Sequence, residues 1–371
     1  MHTGADGYVR FDGKFKMKFK LFIILSIIIL VEACKHQADI GNIPIKMETN
    51  SPLTEFIANE QIIHLETIDK ALIGEVGKLY LDSLYIYVLD KIGQEVLIFN
   101  KSGKFNSKIS AHGRGVAEYI DLSDFAVNND LVYILSRPNK SILVYNISGE
   151  YMQEIKINDW YNGISVRDNY IILYSCKSNQ YLYDIVIIDY NGNILNNFMP
   201  FSSDNSFDCI LDPFNYIGDD NYLLCFPYDR RVAFLGKDSM CEYICRFDFE
   251  TQVKLSDNEI DDLCYEDIRN KVLYKNSLIG IDNITQVDND IFYMVITAFY
   301  DEKGIRKALC KVDIKTFESK FFLLGEEIDE KFPTFFDPIF LDANNICTLI
   351  SPHLTGALDS NPCIGIYDIV K

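Results

Sequence analysis

Seven side chains in this sequence combine the chemistry and the loop setting of a recognition surface. His112 and Arg114 stand in the run HGRGVAEY, Arg137 in SRPNKS, Trp160 next to Tyr161, Tyr228 and Arg230 in YDRR, and His353 after Pro352. Aromatic rings and guanidinium groups presented by loops bind partners through stacking and forked hydrogen bonds. Plainer roles compete for the same residues. Arg114, Arg137 and Arg230 have many carboxylates to pair with, Trp160 serves equally as packing between sheets, and His353 suits an exposed loop. No G-x-S-x-G, H-E-x-x-H, P-loop or dinucleotide fingerprint is present, so the sequence points to no catalytic residue and no cofactor.

Of the 10 cysteines, Cys34 stands apart, at the end of a long apolar run. Most of the other nine lie inside apolar stretches such as NYLLCFPY and NNICTLIS, where a thiol packs as a small hydrophobe. Their odd number leaves at least one unpaired. Cys241 and Cys245, four apart on a strand, are expected on one face but too far apart to chelate zinc unaided, so no metal site is expected. A Cys–His nucleophilic pair finds no support in the spacing.

The formal net charge of −19 argues against nucleic acid as a partner, because phosphate contacts need clustered Lys and Arg. Its ordinary meaning is solubility. Hydrophobic content of 48% and aromatic content of 13%, with 23 Tyr and 25 Phe, suit a large core rich in strands.

Residues 17–33 read as an export signal. A basic start (Met17-Lys-Phe-Lys20) precedes the apolar Leu21–Val31, too short to span a bilayer but the length of a signal core. Cys34 after Ala33 makes this a lipoprotein-type signal, with Cys34 lipidated and Glu32 an unfavourable neighbour. Residues 1–16 read as a non-native extension. Residues 34–51 read as a polar tether. Lipid is then the only attachment to a membrane, since an acidic chain is not drawn to anionic lipid.

The elements that must carry the seven side chains recur along residues 52–371. A strand ending in apolar-polar-x-x-Gly-x-apolar appears at Phe99–Phe105, Tyr145–Tyr151 and Ile188–Ile194, its glycines 46 and then 43 residues apart. The glycine supplies the positive φ of a hairpin turn. An Asp/Asn-rich turn before an apolar strand recurs six times, at Asp82, Asn129, Asp168, Asp219, Asp288 and Asp342. This period is that of four-stranded propeller blades. The expected fold is all-β, a six-bladed β-propeller of four-stranded antiparallel blades. Gln61–Glu66 should pair with Ile364–Val370 and close the ring. Helical spacing within Ser256–Lys275 predicts a short inserted helix near 256–275. Alternating strand directions put the loops between blades, and those between second and third strands, on one face. That face gathers all seven side chains.

On its six repeats, its signal and the loop Gly113-Arg-Gly-Val-Ala-Glu118-Tyr119, the chain resembles the six-bladed β-propeller lipoproteins of Bacteroidetes, related to NHL-type propellers. In that family the loop usually reads Gly-x-Gly-Pro-Gly-Glu-Tyr, so Val116 and Ala117 depart from it. The resemblance implies export and an outer-membrane lipid anchor on the periplasmic or cell-surface side. The expected function is a binding or scaffold module for a glycan, peptide or protein. A lactonase-like propeller hydrolase or lyase, and a structural subunit of an outer-membrane complex, are the alternatives.

Overall fold

The computed structural model describes residues 41–46, 51–176, 180, 182–200, 212–226, 230–249, 280–301, 304–325, 331–355 and 359–371. The extension, the signal, Cys34, Tyr228 and the helix expected near 256–275 lie outside these residues. The chain divides into Met1–Gly41 and Asn42–Lys371, and the fold is that of the second unit. No helix among the described residues is long and apolar enough to cross a membrane.

Two strands precede the first blade, β1 (Gly41–Ile45) and β2 (Ile57–His64). The first blade is β3 (Val76–Leu81), β4 (Tyr85–Asp90), β5 (Glu95–Asn100) and β6 (Phe105–Ile109). The second is β7 (Asp124–Asn128), β8 (Leu131–Ser136), β9 (Ser141–Asn146) and β10 (Tyr151–Lys156). The third is β11 (Gly163–Val166), β12 (Ile171–Tyr174), β13 (Tyr183–Ile188) and β14 (Ile194–Pro200). The fourth is β15 (Phe214–Gly218), β16 (Asn221–Cys225), β17 (Arg231–Leu235) and β18 (Cys241–Phe249). The fifth is β19 (Gly280–Asp288), β20 (Ile291–Asp301), β21 (Gly304–Asp313) and β22 (Glu318–Leu323). The sixth takes β23 (Ile339–Phe340), β24 (Asn345–Ile350) and β25 (Cys363–Ile369) from the C-terminus and β2 as its outer strand. The six-bladed, all-β expectation holds.

The central strands of each blade read as unbroken apolar runs because both faces are buried. On β4, Ile86 and Val88 face the sixth blade, while Tyr87 and Leu89 face the second. On β5, Leu97 and Phe99 take the first side and Val96 and Ile98 the second. Among the described residues, six such apolar clusters fill the six junctions between neighbouring blades. Every blade therefore depends on two neighbours, and the ring is complete only when the last junction closes.

The turns repeat one chemistry. At the first turn, Asp82 Oδ1 accepts from the backbone N–H of Leu84 and Tyr85, both at 2.7 Å. In the sixth blade Asp342 does the same for Asn344 and Asn345, at 2.6 and 2.9 Å. At the third turn Gly103, Gly149 and Gly192 hold φ of +80, +83 and +85°. Blades four and five lack the glycine, and Ser239 (φ +63°) and Phe317 (φ +59°) occupy the left-handed region instead. Gly103 also meets a packing limit, because a Cβ there would lie 1.9 Å from the carbonyl oxygen of His64. Gly103→Ala should therefore lower stability by more than about 2 kcal/mol in urea unfolding. At Gly325, with φ +78°, an added Cβ would meet nothing within 4 Å, so the same change should cost only about 1 kcal/mol.

The ring closes as expected from the sequence. β2 pairs antiparallel with β25 from Ile57↔Ile369 to His64↔Cys363, beginning four residues before the expected Gln61. Asn361 locks the seam. Its Oδ1 accepts from Ile73 N at 2.9 Å, and its Nδ2 donates to the carbonyls of Glu66 and Ala71 at 2.9 and 2.6 Å.

Two sequence readings change. Within the expected tether, Gly41–Ile45 is a fifth strand on the outer edge of the fourth blade. Ile43 and Ile45 are buried among Phe247, Phe249 and Phe321, and Pro44, lacking an N–H, suits an edge. Lys46 and Ser51 both meet the fifth blade. Ser319 Oγ donates to Lys46 O at 2.8 Å, and Ser51 N to Phe321 O at 2.7 Å. Cys241 and Cys245, in turn, do not share a face. The register of β18 shifts opposite Val232/Ala233, and this bulge turns Cys241 toward the third blade and Cys245 toward the fifth.

Candidate functional site: the loop face and the channel

The loop from His112 to Tyr119 is built by its own side chains. Gly115 N donates to Glu118 Oε2 at 2.6 Å. The Tyr119 hydroxyl, beneath the loop, donates to Gln94 O at 2.7 Å and accepts from Ala111 N at 3.1 Å. Ala117 adopts φ +64°, so it holds the conformation that glycine adopts freely at this family position. The glycines are thus architectural, and His112 and Arg114 are left on the loop as its candidates, both exposed.

Neighbouring loops are tied to this one. Asn139 Oδ1 accepts from Ile120 N at 3.0 Å, and Asn139 Nδ2 donates to Glu118 O at 3.3 Å. Two residues earlier, Arg137 Nη1 donates to Asn162 Oδ1 at 3.1 Å, which joins the entry loop of the third blade. There Asp159 Oδ1 accepts from Trp160 N at 2.9 Å and Oδ2 from Gln180 N at 2.7 Å. Tyr161, fully buried, fills the junction between blades two and three. Trp160 is left 53% exposed, so the packing role falls to Tyr161 and the indole projects from a hydrogen-bonded frame.

The frame joins the loops of His112, Arg114, Arg137 and Trp160. His353, on α1 (Pro352–Thr355) of the sixth blade and exposed, lies outside it. Arg230 is only 6% exposed, and its Nη1 lies 3.5 Å from Asp248 Oδ1 on the outer strand of its own blade. The side chain is directed along the sheet, away from the axis.

Three residues that the sequence reading passed over meet in the channel. Lys78 Nζ on β3 donates to Asp124 Oδ1 and Oδ2 at 2.9 and 3.1 Å, and lies 2.7 Å from Asp212 Oδ2 at the entry to β15. The first and fourth blades face each other across a six-membered ring, so Lys78 spans the channel. Asp124 Oδ2 also accepts from Ile164 N of the third blade at 2.8 Å. The same stitch recurs where Asn215 Oδ1 accepts from Ile284 N at 3.1 Å and Asn283 Oδ1 from Phe340 N at 2.7 Å. Burial opposes the charge on Lys78, but the Asp124 and Asp212 carboxylates outweigh it and hold the ammonium well above its ordinary value. Burial pushes Asp124 up to about 6, against the pull of Lys78 and the Ile164 N–H.

A pH dependence follows from Asp124. The folded chain binds its proton more tightly than the unfolded chain, so its contribution to stability is complete below the ordinary aspartate value of 3.8 and fades as pH rises through about 6. Urea midpoints measured between pH 4 and 7 should show this component, and Asp124→Asn should lack it. Identical profiles for the two proteins would refute the assignment.

Among the described residues, the free thiols carry no evident reactivity. Cys241, Cys245, Cys310, Cys347 and Cys363 are free and buried, and Cys225 is buried with them. Burial pushes Cys241, Cys245 and Cys347 up to about 12. Cys363 Sγ lies 3.1 Å from His64 Nδ1 in the closing seam. Burial raises this thiol too, so the pair does not hold a ready thiolate. Cys176 is disulfide-bonded. Among the described residues, no group of three or more His, Cys, Asp or Glu is placed to hold a metal.

Comparison with known proteins adds a family and a fold. A family model described as "Domain of unknown function (DUF4934)" matches residues 39–361. A crystal structure of a Bacteroides fragilis NCTC 9343 protein classed as exported is similar over 89% of this chain and 100% of its own, with 16% identity and a TM-score of 0.64. A member of the DUF4221 family from Bacteroides vulgatus ATCC 8482 is similar over 85% and 97%, with 10% identity and a TM-score of 0.53. At these identities the likeness is one of fold. No curated protein matches the sequence.

Proposed function

The chain belongs to the family described as Domain of unknown function (DUF4934), and from that starting point we propose that it is an exported, lipid-anchored binding module. It engages a glycan, peptide or protein through the loop face of its propeller. The observation that carries this reading is Trp160, the single tryptophan of the chain. It is half exposed, in a loop that Arg137 joins through Asn162, on a frame fixed by hydrogen bonds across three loops. An exposed aromatic ring on a loop held in place is a usual anchor of a binding surface, because little backbone freedom is lost on contact.

Export is supported by the signal-like residues 17–33 and by the disulfide at Cys176, a bond that persists in oxidising compartments. It is also supported by the fold shared with the Bacteroides fragilis protein classed as exported. The anchor is Cys34, on the outer membrane. Binding is favoured over metal-dependent hydrolysis because two channel carboxylates, Asp124 and Asp212, are committed to Lys78.

The experiment is affinity recovery from solubilised outer membranes with the native lipoprotein and with a Trp160→Ala/Arg137→Ala variant. Co-purifying material should be lost with the variant while its thermal melt is kept. Unchanged recovery would count against the loop face. Separately, Cys34→Ala should move the protein from the membrane pellet to the soluble fraction.

A further inference from the structure

We propose that the loop face is turned toward the membrane that holds the lipid anchor, and that the partner it meets there is a protein embedded in that membrane. The proposal rests on the loop-face reading and narrows its partner from three classes to one.

The face presents apolar side chains that the fold leaves uncovered. Leu72 lies between β2 and β3, Ile92 between β4 and β5, and Val116 between β6 and β7. Each is more than half exposed, Ile92 at 71% and Val116 at 95%. Together with Trp160 they stand on four loops tied to one another. Asp90 Oδ2 accepts from Gly74 N at 3.1 Å, and its Oδ1 from Glu75 N and Ile92 N at 2.9 and 3.1 Å. This joins the loop of Leu72 to that of Ile92. Gln94 Oε1 accepts from Leu122 N at 2.9 Å, which joins Ile92 to the loop of Val116. Asn139 and Asn162 carry the frame on to Trp160. Leu354, also more than half exposed, stands on α1 across the closing seam. Singly, such residues are ordinary on a surface. Held on adjoining loops of successive blades, they form the kind of patch that marks an interaction surface. Among the described residues, comparable side chains of the opposite face, Leu84, Met240 and Phe317, sit on separate turns.

The tether leaves on the same side. β1 lies on β18, and Lys46, directly after it, is bonded to Ser319, the second residue of β22, just past the third turn of the fifth blade. β1 therefore ends toward the glycine turns and starts toward the loop face. Run the other way, it would pass beyond Cys241 and leave β18 behind. Asn42 is eight residues from Cys34, a span of roughly 28 Å at full extension. An anchor on so short a lead holds the loop face toward the bilayer.

The chemistry of the face selects a protein. Aliphatic tips give no hydrogen bond to the hydroxyls of a glycan, and a patch spread over the loops of several blades is broader than a short peptide covers. Bare lipid fits no better. Asp69 and Glu75, both exposed, stand among the tips, and anionic headgroups repel them. Apolar tips, a Trp and the guanidinium groups of Arg114 and Arg137, set among charges of both signs, have the makeup of a protein interface.

The test places a photo-cross-linking residue at Ile92 or at Val116 of the full lipoprotein, with Leu84 as the control position, and irradiates intact cells. Both loop positions should give the same adduct, identified by mass spectrometry as a protein that spans the outer membrane, and Leu84 none. Leu72→Ser, Ile92→Ser and Val116→Ser combined should cut the adduct from position 160 about tenfold with an unchanged thermal melt. Adding about twenty Gly/Ser residues after Lys35 should slow adduct formation about sixfold, because effective concentration falls with the −3/2 power of tether length. A rate that stays the same or rises overturns the orientation. A lipid, a saccharide or a soluble protein at positions 92 and 116 overturns the embedded partner and leaves the loop face standing, as does an adduct from 160 alone. No adduct from 92, 116 or 160 overturns this inference and the loop-face reading together.

Discussion

A chain that begins at Leu65, without β2, is expected to show no cooperative unfolding transition and to aggregate. Its loss leaves β25 as an open edge with unpaired donors and acceptors along Cys363–Ile369, a template for association with other chains. It also strips Leu53, Phe56 and Ile57 from the junction of blades five and six, and Ile63 from that of blades six and one. Since each blade is stable only between two neighbours, loss of one junction propagates around the ring. The counter-experiment separates the strand from its place in the sequence. Ile57 sits opposite Ile369, and Val370 N donates to Phe56 O at 2.9 Å. A permuted chain in which residues 51–64 follow Lys371 through a short turn should therefore recover a single transition in calorimetry. Failure of the permuted chain would mean that β2 acts through something other than closure.

The second large effect is Lys78→Met, expected to cost about 3 kcal/mol at neutral pH because it leaves two carboxylates facing each other in the channel without their cation. Part of the loss should return in a Lys78→Met/Asp212→Asn double variant. The loss should also shrink toward pH 4, where the carboxylates can take up protons. By contrast, Lys91→Met removes an exposed pair with Glu75 at 3.1 Å and should change stability by less than about 0.5 kcal/mol. Equal effects at the two lysines would show that the channel ion cluster contributes nothing beyond a surface pair.

The fold was legible because each blade repeats the same local chemistry. An Asp caps the first turn of the first and sixth blades, and Asn129-Asp130 and Asp219-Asp220 turn it with positive φ in the second and fourth. A positive φ closes the third turn of blades one to five, and middle strands are apolar on both faces. Where the glycine is missing, Ser239 and Phe317 take the same φ, so the divergence of blades four and five is one of residue type and not of geometry. The closing strand was legible because an orphan at each end of the chain implies a partner. β1 was not, since Gly-Asn-Ile-Pro-Ile is too short to separate from a polar tether. Only the buried Ile43 and Ile45 reveal it.

The site was less legible. Arg230 belongs to a loop in sequence, but as the residue before β17 it takes the direction of the strand and points to Asp248. Trp160 and Tyr161 are adjacent, and only the structure says which of them packs. Lys78, Tyr80 and Asp82 share a face by their spacing of two, a signal present in the sequence. Its meaning depends on which blade lies opposite, and that requires the ring to be closed and counted.

The central claim is that a partner docks on the loop face at Trp160. It is tested most directly by placing a photo-cross-linking residue there in the exported protein, with a second at Leu195 on the outer strand of the third blade, exposed at 58%. Irradiation of intact cells should give a discrete adduct from position 160 and none from 195. No adduct from 160, or the same adducts from both positions, would contradict the account.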